Sequence, residues 1–227
     1  MKTVLALVLS ADMPKYTPMI QAIKETWAAY RTPSFSTLFY FGRNKEKEAR
    51  KWPPDGEVIQ QGVELYYGCI EEVYNINLKT VMIFDYVLKN YKFDYIYRSC
   101  LGTYIAPPLL LKYLETAPST MLYSGILARL SPDDAFWVSG SGYSLSRDLV
   151  EIVVSHKKEI LAAGHGSADD VCLGRLLRNF GVVPMFVPRV DGTEIKEGCF
   201  HHHGAWDLDP SFMHKMHKAF KDKGAYS

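Results

Sequence analysis

The chain has 227 residues, of which 48% are hydrophobic and 22% charged, and its 26 basic and 25 acidic residues give a formal net charge of +1. This composition is typical of a globular protein and excludes a disordered one, and the length suits one domain over residues 1–227. A charge so close to zero does not favour binding to nucleic acid, so any phosphate recognition must come from a local site.

The four cysteines lie far apart in the sequence and include no Cys-x-x-Cys pair. This spacing disfavours a zinc knuckle and a dense disulfide framework. We expect free thiols in a reducing, cytoplasmic compartment. No stretch approaches the roughly 20 apolar residues that a membrane span needs. The cysteines are Cys69, Cys100, Cys172 and Cys199.

The first predicted element is a buried strand at residues 3–9. Its apolar run, preceded by Lys2, also resembles the start of a signal peptide, but the run is short for one. An unbroken apolar run is typical of a parallel strand that is covered on both faces. A helix at 16–30 follows, with Ile23 and Trp27 one turn apart on one face.

Strand and helix patterns alternate along the rest of the chain, which predicts a mostly parallel sheet with helices on both faces. The predicted elements, in chain order, are strands at Ser36–Phe41, 57–60 and 63–67, a helix at 71–91, a strand at 93–98, a helix at 107–116, strands at 121–127 and 135–139, helices at 146–156 and 168–180, and a strand at 182–187. We expect the residues 193–227 to form an irregular tail, which closes the functional site of the domain.

A glycine-rich segment, Ser139–Ser146, leaves a predicted strand and enters a predicted helix. Gly140 and Gly142 flank Ser141 and allow the backbone to approach another group closely. The simplest interpretation is a tight strand-to-helix turn. The segment is not a dinucleotide fingerprint, because the third glycine and the later acidic residue are missing.

Two adjacent carboxylates, Asp169 and Asp170, open the helix at 168–180. They could stabilise the positive end of the helix dipole. One of them could equally be a general base that removes the proton of an attacking hydroxyl. The sequence leaves both interpretations open.

Three consecutive histidines, His201–His203, lie in the tail. An imidazole can bind a metal ion or a diphosphate. A cluster of surface histidines without a ligand is the alternative interpretation.

Six short segments, taken together, resemble the fringe and β1,3-galactosyltransferase family, which has the GT-A fold. Each segment is weak alone, but all six occur in the family's order between about residues 3 and 204. The short chain is similar to stand-alone bacterial or virus-encoded members, which implies the bacterial or host cytoplasm. The segments are Ile23–Trp27 (IKETW), Tyr74–Thr80 (YNINLKT), Tyr95–Arg98 (YIYR), Ser139–Ser146 (SGSGYSLS), Asp169–Gly174 (DDVCLG) and Phe200–His203 (FHHH).

The resemblance implies a GT-A-like α/β fold and an inverting transfer of a sugar from a UDP-sugar to a hydroxyl of a glycan or glycoprotein. Asp170, or else Asp169, would be the base, and the acceptor would pass Trp137 and Trp206. The loop 99–104 would lie under the donor diphosphate. The implied donor-site residues are Ser10, Ala11, Lys79, Arg98, Ser99, Cys100, Leu101, Gly102, Gly140, Ser141 and Gly142.

The chain departs from the family at the metal motif. The family places Asp-x-Asp after the strand that ends here at Arg98, whereas residues 99–104 contain no carboxylate. Mn²⁺ would then be held by the donor phosphates and one imidazole, His203 or His201. Otherwise Arg98 or Lys79 would neutralise the diphosphate directly, or catalysis has been lost.

Two functions from other classes remain open. One is a catalytically silent protein that binds a nucleotide-sugar or a glycan, which the missing Asp-x-Asp favours. The other is an unrelated nucleotide-binding enzyme such as a nucleotidyltransferase, although the chain has no glycine-rich phosphate loop ending in Lys-Ser or Lys-Thr.

Overall fold

A computed structural model describes residues 1–44, 52–132, 134–163, 168–204 and 208–226. The strands are β1 (Val4–Leu9), β2 (Phe35–Arg43), β3 (Val58–Gln61), β4 (Glu64–Ile70), β5 (Tyr95–Ser99), β6 (Thr103–Ile105), β7 (Tyr123–Ala128), β8 (Trp137–Ser146), β9 (Met185–Phe186), β10 (Val190–Asp191) and β11 (His201–His203). The helices are α1 (Thr17–Glu25), α2 (Ile76–Asn90), α3 (Pro107–Thr116), α4 (Arg147–Ser155), α5 (Lys157–Ala163), α6 (Asp169–Asn179) and α7 (Pro210–Asp222).

Eight strands form the main sheet in the order β3-β4-β2-β1-β5-β8-β7-β9. The neighbouring pairs β4–β2, β2–β1, β1–β5 and β7–β9 are parallel. The pairs β3–β4, β5–β8 and β8–β7 are antiparallel. The sheet is therefore mixed around a parallel centre. The α/β class with a central sheet flanked by helices is confirmed.

The central strand β1 is buried on both faces of the sheet, which explains its unbroken apolar run. Val4, Ala6 and Val8 pack into one core, to which α1, α3 and α7 contribute. Leu5 and Leu7 pack into the other core, to which α2, α4 and α6 contribute. Helices on both sides of parallel strands require this residue pattern.

The end of the chain is more ordered than the predicted irregular tail at 193–227. The Asp209 side chain accepts a hydrogen bond of 2.9 Å from the backbone N–H of Ser211, and Pro210 occupies the first position of α7. Both features favour the start of a helix. β11 pairs with β6 and β10 in a second, three-stranded sheet. The apolar residues that α7 buries are Phe212, Met213, Met216 and Phe220.

The glycine-rich segment is part of a strand, so the predicted strand-to-helix turn is wrong. β8 runs through Gly140 and Gly142 to Ser146, and α4 begins only at Arg147. From Gly142 onward the segment remains extended because Gly142–Ser146 pair with β5 on one side and Tyr143–Leu145 pair with β7 on the other. Hydrogen bonds to distant strands outweigh the weak local preference of glycine for extended structure.

Most other element boundaries lie within a few residues of the predicted ones, with the following exceptions. The helix predicted at 71–91 begins with a 3₁₀ turn at Val73–Asn75 before α2. The helix predicted at 16–30 is α1 flanked by 3₁₀ turns at Pro14–Tyr16 and Trp27–Ala29. The strand predicted at 182–187 is reduced to the two residues of β9, and α5 and β6 were not predicted.

Candidate functional site

A cleft of about 520 Å³ opens where β1 and β5 end. Ser10 and Ala11 follow β1 directly, and the loop Cys100–Gly102 follows β5 directly. Because β1 and β5 are parallel neighbours, their carboxyl ends meet at the same edge of the sheet. The residues predicted for the site that line this cleft are Ser10, Ala11, Lys79, Cys100, Leu101, Gly102 and His203.

Lys79 lies at the wall of the cleft with only 1% of its surface exposed. Its ammonium donates hydrogen bonds to the Glu71 carboxylate at 2.6 Å and to the Ser10 carbonyl oxygen at 2.8 Å. Burial lowers the pKa of Lys79, and the Glu71 carboxylate opposes that shift. A further hydrogen bond of 2.8 Å to the second Glu71 oxygen uses the third ammonium proton, so the pair offers the cleft neither a spare donor nor net charge. Lys15, which the sequence analysis missed, adds an exposed cation to the cleft lining.

Arg98 lies behind the cleft, where 2% of its surface is exposed. Its guanidinium forms an ion pair of 2.7 Å with Asp169 and donates hydrogen bonds to the Tyr40 hydroxyl and the Gly140 carbonyl. Thr80 adds a hydrogen bond of 3.2 Å to the same Asp169 oxygen. The buried charges of Arg98 and Asp169 therefore compensate each other.

Asp170 has different partners from its neighbour. It accepts backbone hydrogen bonds from Gly140 at 2.6 Å and from Val171 at 2.8 Å. Within the described part of the chain it has no ion pair. Burial, and secondarily the charge of Asp169, raise the pKa of Asp170. A raised pKa suits a carboxylate that must accept a proton near neutral pH.

The Gly140–Gly142 segment of β8 joins the loop after β5 to the Asp170 region. The Ser141 carbonyl accepts hydrogen bonds from the Thr103 hydroxyl at 2.5 Å and from the Cys100 backbone N–H at 3.4 Å. A Cβ atom at Gly140 would lie 3.2 Å from the Asp170 carboxylate. A Cβ atom at Gly142 would clash with the Tyr97 hydroxyl. The two glycines thus allow this close packing, although their segment lies outside the cleft lining.

The predicted metal ligands separate into two environments. The His203 imidazole lines the cleft, with its Nε2 atom 3.8 Å from the Cys100 sulfur. His201 is 1% exposed, its Nε2 has no hydrogen-bond partner in the described residues, and burial lowers its pKa well below the usual value. Ser99 is also fully buried, with its hydroxyl lacking such a partner.

The donor set at the cleft does not form a protein-built metal centre. Among the described residues, no group of three His, Cys, Asp or Glu side chains is arranged to hold a metal ion. Of the two carboxylates that line the cleft, Glu71 is paired with Lys79 and Glu72 is exposed. Of the two predicted ligands, His203 lines the cleft and His201 does not.

The predicted acceptor residues lie away from the cleft or outside the described chain. Trp137 lines a second, smaller hollow of about 50 Å³ together with residues of α6. Trp206 lies outside the described residues. Arg175 and Arg178 also line this hollow, although neither was predicted as a site residue. Their spacing of three on a predicted helix places them on one face.

Comparison with known proteins gives no family assignment, since no protein-family model and no curated protein matches the chain. In the described residues, no helix is long and apolar enough to cross a membrane.

Proposed function

We propose that the chain is an inverting glycosyltransferase that moves a sugar from a UDP-sugar to a hydroxyl of a glycan or glycoprotein. The cleft where β1 and β5 end carries this proposal, because six residues chosen from the sequence as donor ligands line it. Ligands of open α/β sheets bind outside the carboxyl ends of the strands. The volume of about 520 Å³ lies in the usual range for a small-molecule site.

The donor side of the proposed site uses backbone and cationic groups. The loop Cys100–Gly102 would pass under the diphosphate, and Gly102 keeps that surface free of a side chain. The Lys79 ammonium, whose donors bind Glu71 and Ser10, would hold the wall of the cleft in place, and Lys15 would supply the cationic contact to a phosphate oxygen from the rim. A Mn²⁺ ion, if bound, would stabilise the leaving diphosphate, with His203 as its protein ligand.

The transfer would be a single displacement. The acceptor oxygen attacks the anomeric carbon, the bond from that carbon to the UDP oxygen breaks, and Asp170 takes the acceptor proton. Asp170 fits the role of base better than Asp169, since Asp169 is bound to the buried Arg98. Arg98 would act as a positioning residue, because it holds both Asp169 and the Gly140 carbonyl.

A catalytically silent protein that binds a nucleotide-sugar is the second candidate. Two observations favour it: the loop after β5 carries no carboxylate, and one of the two acidic residues at the start of α6 is used in a buried ion pair. Donor binding would then persist without transfer.

Calorimetric titration with UDP, GDP and CDP tests the donor site. We expect UDP to bind most tightly, and Lys15→Gln to weaken it while Lys112→Gln, an exposed change outside the cleft, leaves it unchanged. Equal or tighter binding of GDP would remove the UDP assignment. Incubation with UDP-sugars then separates the two candidates, since hydrolysis or transfer requires the enzyme and binding alone indicates the silent protein.

A further inference from the structure

The small hollow beside Trp137 is built from the loop between β7 and β8 and from one face of α6. Four residues of α6 line it, and their spacing of i, i+3, i+4 and i+7 places them on that face. A Cβ atom at Gly174 would clash with Trp137, so this glycine allows the loop to approach the helix. The helical lining residues are Val171, Gly174, Arg175 and Arg178.

The charges around the hollow are unbalanced. Arg175 and Arg178 are exposed, and within the described ranges neither guanidinium donates a hydrogen bond or forms an ion pair. Asp134 also lines the hollow, and its carboxylate accepts a hydrogen bond from the Ser131 backbone at 2.9 Å, so the lining has two cations and one anion. At the lip, the Arg129 guanidinium lies 5.0 Å from the ring centre of Phe136, which is 45% exposed.

The position and size of the hollow restrict its ligand. A volume of about 50 Å³ holds one or two groups the size of water, whose share of the liquid is about 30 Å³, so it suits a charged group but not a sugar ring. Arg175 and Arg178 follow Asp170 by five and eight residues. A rise of about 1.5 Å per residue places them about 8 and 12 Å from it along the helix axis.

We propose that the acceptor carries an anionic group, which Arg175 and Arg178 bind. Guanidinium groups donate paired hydrogen bonds to carboxylate, sulfate and phosphate oxygens. The offset from Asp170 places that group on a neighbouring part of the acceptor, not on the sugar whose hydroxyl reacts. Phe136 and Trp137 then contact the apolar face of the intervening ring. The assignment of this ligand as the acceptor rests on the proposed function.

Binding of matched tetrasaccharides tests the inference. The probes are a neutral tetrasaccharide and three of the same backbone that carry a carboxylate, a sulfate or a phosphate, each titrated into the full chain. We expect at least one anionic probe to bind about tenfold more tightly than the neutral one, and more weakly as salt is raised. The preferred probe identifies the source of the charge.

Three variants assign that binding to the hollow. The double variant Arg175→Gln, Arg178→Gln should lose the anionic preference, while Arg31→Gln, an exposed change on another surface, should keep it. Arg178→Lys should retain part of it, since the charge remains and the paired hydrogen bonds do not. Equal binding of all four probes, no binding of any, or an unchanged preference in the double variant would overturn the inference. UDP titrated in parallel reports separately on the donor site.

Discussion

At the scale of single residues, Asp170 and Asp169 are adjacent in sequence but differ in their partners. Asp170→Asn is expected to reduce transfer by about 10²–10⁴-fold, because the amide cannot accept the proton. UDP binding should persist. The fold should lose about 1–3 kcal/mol at most, because the amide keeps one oxygen for the backbone N–H of Gly140 or Val171 but turns its NH₂ group toward the other. Turnover at wild-type level would show that the base is a different residue.

The pH dependence of transfer follows from the raised pKa of Asp170. The base must be ionised, so the rate of the wild type should fall as pH decreases through this pKa, which lies above that of an ordinary aspartate because of burial and the charge of Asp169. A profile of kcat/KM against pH measures the midpoint. A profile that stays flat down to the usual aspartate range would contradict the assignment.

Asp169 is expected to act on stability. Asp169→Asn leaves the buried Arg98 guanidinium without its counter-charge, which should cost about 3–5 kcal/mol in the free energy of unfolding. The double variant Asp169→Asn, Arg98→Met removes both charges and should be less destabilised than the single one. Urea denaturation measures both variants. A single variant within about 1 kcal/mol of wild type would show that the pair contributes little.

Mn²⁺ is expected to bind weakly to the free protein and more tightly once UDP is present. His203 is the one predicted ligand on the cleft, and divalent ions are commonly held through substrate phosphates with few protein ligands. In calorimetry with UDP present, His203→Ala should weaken Mn²⁺ binding, while His201→Ala, whose ring is buried away from the cleft lining, should not. Undiminished turnover in excess EDTA would exclude the metal.

At the scale of elements, the contact between α6 and β8 depends on Gly174. Through its higher helix propensity, alanine in Gly174→Ala would stabilise α6 by up to about 1 kcal/mol. The added Cβ clashes with Trp137 and lies 3.3 Å from its Cα atom, so a change of rotamer cannot relieve it, and overpacking costs about 1–3 kcal/mol. We expect net destabilisation in thermal melts. Gly102→Ala, which meets only the end of the His203 ring, is the control and should be nearly neutral.

Elements with strong local signals were predictable from the sequence. The helix predicted at 107–116 has the observed bounds of α3, because proline fits its first turn and the apolar spacing is helical. β8 was missed in part because its residues from Gly142 onward pair with two distant strands, while Gly140 is bound by the side chains of Arg98 and Asp170. The sequence of α7 does contain a helix signal, because Asp209 and Pro210 precede apolar residues that are spaced four apart. The histidines and lysines between these apolar residues obscure the pattern.

The residues that line the cleft were easier to predict than those that line the smaller hollow. Residues that directly follow a strand, such as Ser10 and Cys100, reach the sheet edge by topology alone. The partners of Arg98 could not be predicted in this way. Its ion pair joins residues that are 71 positions apart, so the expectation that Arg98 contacts a donor did not include its burial behind the cleft.

At the scale of the whole molecule, nucleotide binding should raise the melting temperature. At about 100 times its Kd, a ligand adds about 2.7 kcal/mol to the free energy of unfolding. For a chain of this length that corresponds to about 5–10 °C. We expect UDP to give the largest shift among UDP, GDP and CDP at equal concentration in thermal melts. A shift with GDP or CDP that equals or exceeds the UDP shift would argue against a uridine site.

The central position of β1 has a consequence for synthesis on the ribosome. Val4 pairs with Phe35 on one side and with Tyr95 on the other. One edge of this apolar strand therefore stays unpaired until 91 further residues have been synthesised. At about 5–20 residues per second, that interval lasts about 5–18 s. Stalled nascent chains that end before Tyr95 should therefore be cleaved readily by protease and retained by chaperones, whereas chains in which β5 and β8 have also emerged should resist cleavage.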